Sequence, residues 1–379
     1  MEPTGSAQAP STPSGDLAHP TELPQPPDPV GGSAGEDLTA DLLMRDGLIT
    51  VEQTAFEDEI WHFAVALADG CEVIPQPLVE PSAQERTQSL TLFRQAEPEA
   101  DVEVLGHLLE HEIDPHDWLT RAVLNDEREI QSSKPQQLLC GKVGDVVATW
   151  THEGEPFAGR FVATKWGPRL FVVCCRTRLG DYPKLAGQFL RTVASFQALD
   201  SSLGHFAERV HFVEAAAPSP WKVAIPESWY VQLHSAGDEG AWFDAMHQAI
   251  SPTGEQSGDV DGRLSFAVMA RSVAQRPRDA GNVLLRALAD NEIDIEQADF
   301  ANDDVLLPIC RTTFSDAWSL VTKVRRDDAE GELRCRVLLH DHAWVVAGVM
   351  GPPVDVDDDA WMRNKRLLDL ASSTLEIED

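Results

Sequence analysis

An internal duplication restricts the fold of this chain more than any other feature of its sequence. The alternating apolar pattern of residues 63–67 reappears at 221–225, and the hairpin pattern of residues 160–175 reappears at 334–349. Each hairpin leads into an amphipathic helix pattern, and matching segments lie about 160 to 180 residues apart. A spacing of this length indicates two tandem domains rather than a short-period solenoid.

The order of segments within each copy predicts the fold class. Both copies read as strands, a helix, further strands, a hairpin and a closing helix, with the inner helices predicted at residues 101–111 and 279–289. We interpret residues 237–261, which are rich in Gly, Asp, Ser and Gln, as an inserted loop with a short helix. Runs of strands with few helices favour the α+β class, with two tandem antiparallel sheets flanked by helices.

Composition sets the limits of the domains. Residues 1–50 are rich in Pro, Ser and Gly, and eight prolines fall among the first thirty residues, so we expect a disordered tail there. The first α+β domain is predicted at residues 54–199 and the second at residues 208–379. We expect the two domains to pack on each other.

The charge of the chain argues against several classes of function. Sixty-three Asp and Glu residues face thirty Lys and Arg residues, which gives a net charge of -33. Phosphate backbones and anionic lipids repel such a chain, so we predict no nucleic-acid binding and no membrane insertion. The six cysteines form no Cys-x-x-Cys pair, and no apolar run reaches the roughly 20 residues of a membrane span. We therefore expect a cytoplasmic protein with reduced thiols.

The second copy resembles a known family. Residues 221–229 read Trp-Lys-Val-Ala-Ile-Pro-Glu-Ser-Trp, which resembles the opening of Mog1/PsbP-like domains. In the first copy, Ala68 and Cys71 stand where the proline and the second tryptophan would lie. The resemblance implies an antiparallel meander with a C-terminal helix, and a binding module without shared catalytic residues. Proteins of this fold include Eag-type chaperones of type VI secretion, which hold apolar effector segments.

One motif points to a different chemistry. His107, Glu110 and His111 match the His-x-x-Glu-His pattern of zinc peptidases, in which two histidines on one helix face hold the metal and the glutamate acts as a base. The predicted helix ends directly after the motif, and no glutamate between Glu155 and Glu208 could supply a third ligand. We therefore favour a solvated helix face and keep a metal-dependent hydrolase as the alternative.

Four side chains are candidate contacts for a protein partner. His340 and His342 flank an aspartate at a predicted hairpin turn, where polar residues are common. Trp166 lies at the corresponding turn of the first copy, and Trp361 lies near the start of the last helix. A tryptophan at such a position is either a core residue or an exposed anchor for a partner.

These observations lead to one main hypothesis and two alternatives. We predict a non-enzymatic protein-binding module of the adaptor or chaperone-like kind, for which secretion is one setting, with no cofactor. The first alternative is a hydrolase that uses His107, Glu110 and His111. The second is a purely structural duplicated domain.

Overall fold

A computed structural model describes residues 47–74, 87–138, 141–200, 206–250, 256–303, 305, 307, 310–326 and 329–378. These residues belong to one compact unit, which spans Leu38–Asp379. The predicted tail of residues 1–50 lies outside the description apart from its last four residues. None of the helices in the described ranges is long and apolar enough to cross a membrane.

The first copy contains ten strands and two α-helices in the described residues. In chain order they are β1 (Leu48–Thr54), β2 (His62–Ala68), β3 (Glu72–Ile74), β4 (Thr87–Gln95), β5 (Ala100–Leu108), α1 (Pro115–Asn125), β6 (Glu129–Leu138), β7 (Gly141–His152), β8 (Glu155–Trp166), β9 (Arg169–Arg178), α2 (Tyr182–Ala194) and β10 (Gln197–Ala198). The strands form a small sheet, β1-β2-β10, and a seven-stranded sheet, β3-β4-β5-β9-β8-β7-β6. Neighbouring strands are antiparallel throughout both sheets.

The second copy contains eleven strands and two α-helices in the described residues. In chain order they are β11 (Val210–Ala215), β12 (Trp221–Pro226), β13 (Tyr230–Gly237), β14 (Gly240–Ile250), β15 (Gln256–Ala270), α3 (Pro277–Ala289), β16 (Asp294–Ile295), β17 (Ala301–Asn302), β18 (Asp316–Arg326), β19 (Ala329–Leu339), β20 (Ala343–Gly351), α4 (Asp358–Thr374) and β21 (Glu376–Ile377). The small sheet has the order β11-β12-β21, and the large sheet has the order β13-β14-β15-β20-β19-β18-β16. The short strand β17 also pairs with β18.

The two copies share one topology. Each large sheet places its first three strands beside its last strand, and three further strands then follow in reverse chain order. Each small sheet joins the first two strands of a copy to its final short strand. In both copies one helix follows the third strand of the large sheet and a second helix follows its last strand. The predicted fold class, α+β with two tandem antiparallel sheets flanked by helices, is confirmed.

Each large sheet is buried on both faces. In the first copy, Phe171 of β9 packs with the small sheet and α2, whereas the next residue, Val172, packs with Leu119 of α1 on the opposite face. In the second copy, Val345 of β20 packs with the small sheet and α4, whereas Val346 packs with α3. A fully buried apolar side chain contributes about 1.5–3 kcal/mol. Burial on both faces therefore explains why β9 and β20 read as continuous apolar runs instead of alternations.

Two aspartates define helix starts. The Oδ1 atom of Asp114 accepts a hydrogen bond from the backbone N–H of His116 at 2.9 Å, and proline occupies the first position of α1. Asp357 caps α4 in the same way, because its Oδ1 accepts the N–H of Ala360 at 2.9 Å. Caps of this kind satisfy backbone donors that have no partner inside the helix.

The helix predicted at residues 101–111 is wrong, because this stretch forms β5. The spacing of Leu105 and Leu108 resembles a helical period. Ala100, Val102 and Val104, however, are buried at every second position, which is the period of a strand. The inner helix of the first copy is instead α1, which corresponds to α3.

The inserted loop predicted at residues 237–261 is also wrong. β14 and β15 fill most of this region and pair along nearly their whole lengths. Ala241, Phe243 and Ala245 alternate toward the core, whereas Asp244 is a buried polar residue of the opposite face. The polar composition misled the prediction because several of these polar side chains are paired inside the protein.

The predicted domain limits can be compared with the strands. β1 pairs with β2 along its full length, so the predicted start of the first domain at residue 54 falls at the end of β1. The predicted start of the second domain at residue 208 falls just before β11.

Close packing of α3 on β20 gives a test of the fold. A Cβ atom on Gly348 would lie 2.5 Å from Cδ2 of Leu284 and 3.0 Å from Sγ of Cys335. We expect Gly348→Ala to lower the free energy of unfolding by about 1–3 kcal/mol, because these buried neighbours must shift. Gly187 of α2 is exposed, and its added Cβ would meet only Arg191 Nη1, at 3.6 Å. Gly187→Ala should therefore stabilise the protein by up to about 1 kcal/mol, and urea unfolding that moves both variants in the same direction would contradict this packing.

Candidate functional site

The His-x-x-Glu-His motif does not lie on a helix. His107 is the penultimate residue of β5, and Glu110 and His111 follow the strand in a bend. The Nδ1 atom of His107 lies 2.9 Å from Oγ1 of Thr87, whereas the ring of His111 packs edge-on against His247 of the second copy, with ring centroids 5.2 Å apart. The helical argument for a metal held by both histidines is therefore wrong. Across the described ranges, no group of three His, Cys, Asp or Glu side chains has the arrangement of a metal site.

The residue after the motif joins the two copies instead. Glu112 is 2% exposed, and its carboxylate pairs with Lys165 of β8 and with Nη2 of Arg366 in α4, the latter at 2.8 Å. The same carboxylate accepts the backbone N–H of Ala207 in the connector between the copies at 2.7 Å. Burial alone would raise the pKa of Glu112, but the two neighbouring cations lower it below its usual value. One ionised carboxylate thus holds the first copy, the connector and the second copy together.

The connector itself contributes a second carboxylate. The Oε1 atom of Glu208 accepts the backbone N–H of Glu112 at 3.0 Å, and its Oε2 atom accepts the backbone N–H of Ser228 at 3.1 Å. Glu208 therefore bonds to the backbone of both copies.

Helices α1 and α4 complete this contact, which we call the seam. Lys365 of α4 pairs with Asp117 of α1 at 2.5 Å. Met362 of α4 is buried in the same apolar cluster as Leu119 and Val123 of α1. The seam thus combines an apolar centre with buried or half-buried ion pairs.

Trp361, one of the predicted partner contacts, lies at the seam. Its Nε1–H donates to Oε1 of Glu332 at 3.0 Å, and the side chain is half-buried. The guanidinium groups of Arg334 and Arg121 lie 4.8 Å and 5.5 Å from its ring centroid, and Arg121 belongs to the first copy. This tryptophan therefore contacts residues of both copies of the same chain.

The seam joins elements that do not correspond to each other. The counterpart of α1 in the second copy is α3, and the counterpart of α4 in the first copy is α2. The copies therefore do not meet as the halves of a symmetric homodimer, in which the same surface patch would occur on both sides.

The buried carboxylate of Glu112 gives a stability prediction. Glu112→Gln leaves the charges of Lys165 and Arg366 without their common partner, so we expect a loss of about 3–5 kcal/mol in the free energy of unfolding. The matched control is Arg276→Gln, which breaks an exposed ion pair with Asp279 and should leave urea unfolding unchanged. Equal effects of the two substitutions would show that the seam does not depend on Glu112.

Asp114 makes the seam region sensitive to acid. Its carboxylate is 3% exposed, caps α1 and pairs with Nζ of Lys142 at 2.7 Å. Burial alone would raise the pKa of Asp114, but the Lys142 ammonium and the N–H of His116 together lower it to about 2. Because the folded pKa lies below the unfolded value of about 3.9, ionised Asp114 stabilises the fold above that value, and this contribution disappears as the pH falls toward 2.

The variant Asp114→Asn tests this pH dependence. Asparagine keeps the helix cap but loses the charge, so the variant should be less stable than the wild type at neutral pH. The difference in the free energy of unfolding should shrink as the pH falls from about 5 toward 2, because the unfolded wild type takes up a proton at Asp114 before the folded protein does. Urea titrations across this range measure the difference. A gap that stays constant with pH would assign the effect to packing instead of charge.

The other three residues predicted to contact a partner do not belong to the seam. Trp166 ends β8, is half-buried and packs against the cluster between the first large sheet and α2. His340 and His342 lie in the turn between β19 and β20, as predicted, with ring centroids 5.9 Å apart. His342 is exposed, but His340 is 6% exposed and its ring faces Phe314. A role of these side chains in partner binding stays a prediction.

The edge strand β13 is a surface that the sequence did not point to. It closes one end of the second large sheet, and no strand of the described residues pairs with its outer side. Its sequence, Tyr-Val-Gln-Leu-His-Ser-Ala-Gly, contains no Asp, Glu, Lys, Arg or Pro, although a quarter of the chain is charged. Tyr230 is 68% exposed and Leu233 is 52% exposed. The register with β14 is regular from Tyr230 to Leu233, and a shift follows before Ser235.

The other edge strands of the described residues are short or charged. Edge strands attract foreign strands through their unpaired backbone groups, and charges, prolines and shortness prevent this. β6 contains Glu129, Lys134 and Pro135, and β1 and β11 each contain a glutamate. β3, β10, β16 and β21 have three residues or fewer. β13 is therefore the one long edge in the described part of the chain without such protection. The sequence signal that could have pointed to β13 is a stretch of eight residues without a charge in an otherwise acidic chain.

Comparison with known proteins shows only that this chain resembles some solved structures in fold. No protein-family model matches the sequence, and no curated protein matches it. Among solved structures, cyanobacterial PsbP (CyanoP) from Synechocystis sp. PCC 6803 is 13% identical with a TM-score of 0.32, over 44% of this chain and 97% of that chain. The type VI secretion immunity protein TplEi from Pseudomonas aeruginosa is 10% identical with a TM-score of 0.22, over 88% and 98%. The likeness concerns the fold alone, and no family is assigned from it.

Proposed function

We propose that this protein is a non-enzymatic protein-binding module and that its partner adds an extended strand to the free edge of β13. The observation that carries the proposal is the contrast between β13 and the other described edge strands. Strand addition uses main-chain hydrogen bonds for affinity and side-chain contacts for specificity. Tyr230 and Leu233 would supply apolar contacts for the added strand.

The charge distribution favours a particular occupant. Glu227 precedes β13, and Asp238 and Glu239 follow it, all three with exposed side chains. Pairing β13 with β13 of a second copy would bring these carboxylates and two chains of net charge -33 together. We therefore assign the edge to a neutral or basic extended segment of another protein. The adaptor or chaperone-like role, in the cytoplasm and with secretion as one setting, is the finer form of this proposal and rests on the family resemblance of residues 221–229.

A charge placed on the edge tests the proposal. Octapeptides selected from a displayed random library on the wild-type protein serve as probes. We expect Leu233→Lys to raise their Kd at least about tenfold, because a lysine on an edge strand opposes strand addition. The matched control is Val73→Lys, which adds the same charge to an equally exposed valine (50%) of the corresponding edge strand β3. Isothermal titration calorimetry measures both variants.

Hydrogen–deuterium exchange locates the bound peptide independently of its affinity. The backbone amides of residues 230–234 should exchange more slowly with deuterium when the peptide is bound. Peptides that bind Leu233→Lys as tightly as the wild type would refute strand addition at β13. A wild-type dimer in sedimentation velocity that Leu233→Lys dissociates would identify a second copy of the chain as the occupant.

A further inference from the structure

The side chains of β13 alternate between the two faces of the second large sheet. Val231 packs against the apolar cluster that this sheet forms with the small sheet and α4. Leu233 lies on the same face, because it is two residues further on and stands opposite Phe243 of that cluster. Tyr230, opposite Met246, lies on the other face. The two large exposed side chains of this edge, Tyr230 and Leu233, therefore point to opposite faces.

The segment before Tyr230 is firmly anchored. Trp229 is 2% exposed, and its ring lies against His247 of β14 with ring centroids 5.4 Å apart. The backbone N–H of Ser228 donates to Oε2 of Glu208 at 3.1 Å. The exposed ring of Tyr230 thus belongs to an ordered edge, and a partner binds it without first ordering the strand.

A strand added to β13 lies beside both of these side chains. Residues directly opposite each other on neighbouring antiparallel strands have Cβ atoms about 4.5–5.5 Å apart, so one side chain of the added strand lies beside Leu233 and another beside Tyr230. The register of residues 230–233 is regular, so these two residues of the added strand are three positions apart, whichever direction it runs. An odd spacing places them on opposite faces of the added strand.

Carboxylates stand beyond both ends of β13. Glu227 precedes the strand, and Asp238 and Glu239 follow it, all with exposed side chains. No Lys or Arg occurs in the sequence between Lys222 and Arg263, so β13, its flanking turns and β14 contain no cation that would balance them. A bound segment therefore meets negative charge at either end, which favours Lys or Arg there.

We infer that the partner segment has the core pattern apolar-x-x-apolar, with one apolar side chain beside Leu233, the other beside Tyr230, and Lys or Arg beyond each end of the core. The inference rests on the proposed function, because pairing with β13 is what sets the spacing. A segment with strict apolar and polar alternation would place its apolar side chains on one face, and would leave either Tyr230 or Leu233 uncovered.

An alanine scan of the tightest octapeptide from the displayed library tests the spacing. We expect two positions, three residues apart, at which alanine raises the Kd about tenfold, because each substitution removes an apolar contact. Double-mutant cycles then assign the two contacts. Alanine at one position should cost little further affinity in Leu233→Ala, and alanine at the other should cost little in Tyr230→Ala. The control is Val321→Ala, because Val321 is as exposed (53%) as Leu233 but lies on β18, near the opposite end of the sheet, so this variant should leave the scan unchanged.

The outcomes separate the pattern from strand addition itself. Sensitive positions that are two or four residues apart, or that both couple to one protein residue, would overturn the pattern. Glutamate in place of the flanking Lys or Arg should raise the Kd about threefold, and unchanged affinity would overturn the basic ends. If the pattern fails but Leu233→Lys still weakens binding, strand addition at β13 stands. Peptides that ignore Leu233→Lys would refute the proposed function.

Discussion

The ionised carboxylate of Glu112 determines how the rest of the molecule is arranged. A charge with 2% exposure is stable only where opposite charges and N–H donors surround it, and these come from β8, the connector and α4. The two copies cannot separate without breaking the pair between this carboxylate and Arg366 of α4. The seam therefore holds the copies as one body, and it uses α1 from the first copy and α4 from the second.

The two copies share one scaffold but differ at one edge of the large sheet. Both large sheets have a small sheet and a closing helix on one face and the inner helix on the other. The first copy ends its large sheet with β3, a strand of three residues that includes Glu72. The second copy ends at the corresponding place with β13, which has eight residues and no charge. One topology thus gives a protected edge in one copy and an open edge in the other.

The functional interpretation depends on where the polar groups are paired. The most buried carboxylates, Glu112, Asp114 and Asp244, each serve cations or N–H groups of the chain itself. Their geometry therefore explains the fold. The unprotected backbone of β13 is why we place the function at a binding edge rather than at the His-x-x-Glu-His motif.

The sequence by itself determined the duplication, the α+β class and the two final hairpins with their closing helices, because strongly apolar, periodic segments are read from local spacing. It failed at residues 101–111, where Leu105 and Leu108 imitate a helical period within a strand, and at residues 237–261, where buried polar side chains resemble a loop. Only the tertiary structure decided that His107 and His111 have different neighbours, that Trp361 lies at the seam, and that β13 is an edge. Edges, seams and cavities arise from contacts between segments far apart in the chain, and no local pattern records which strand is left without a neighbour.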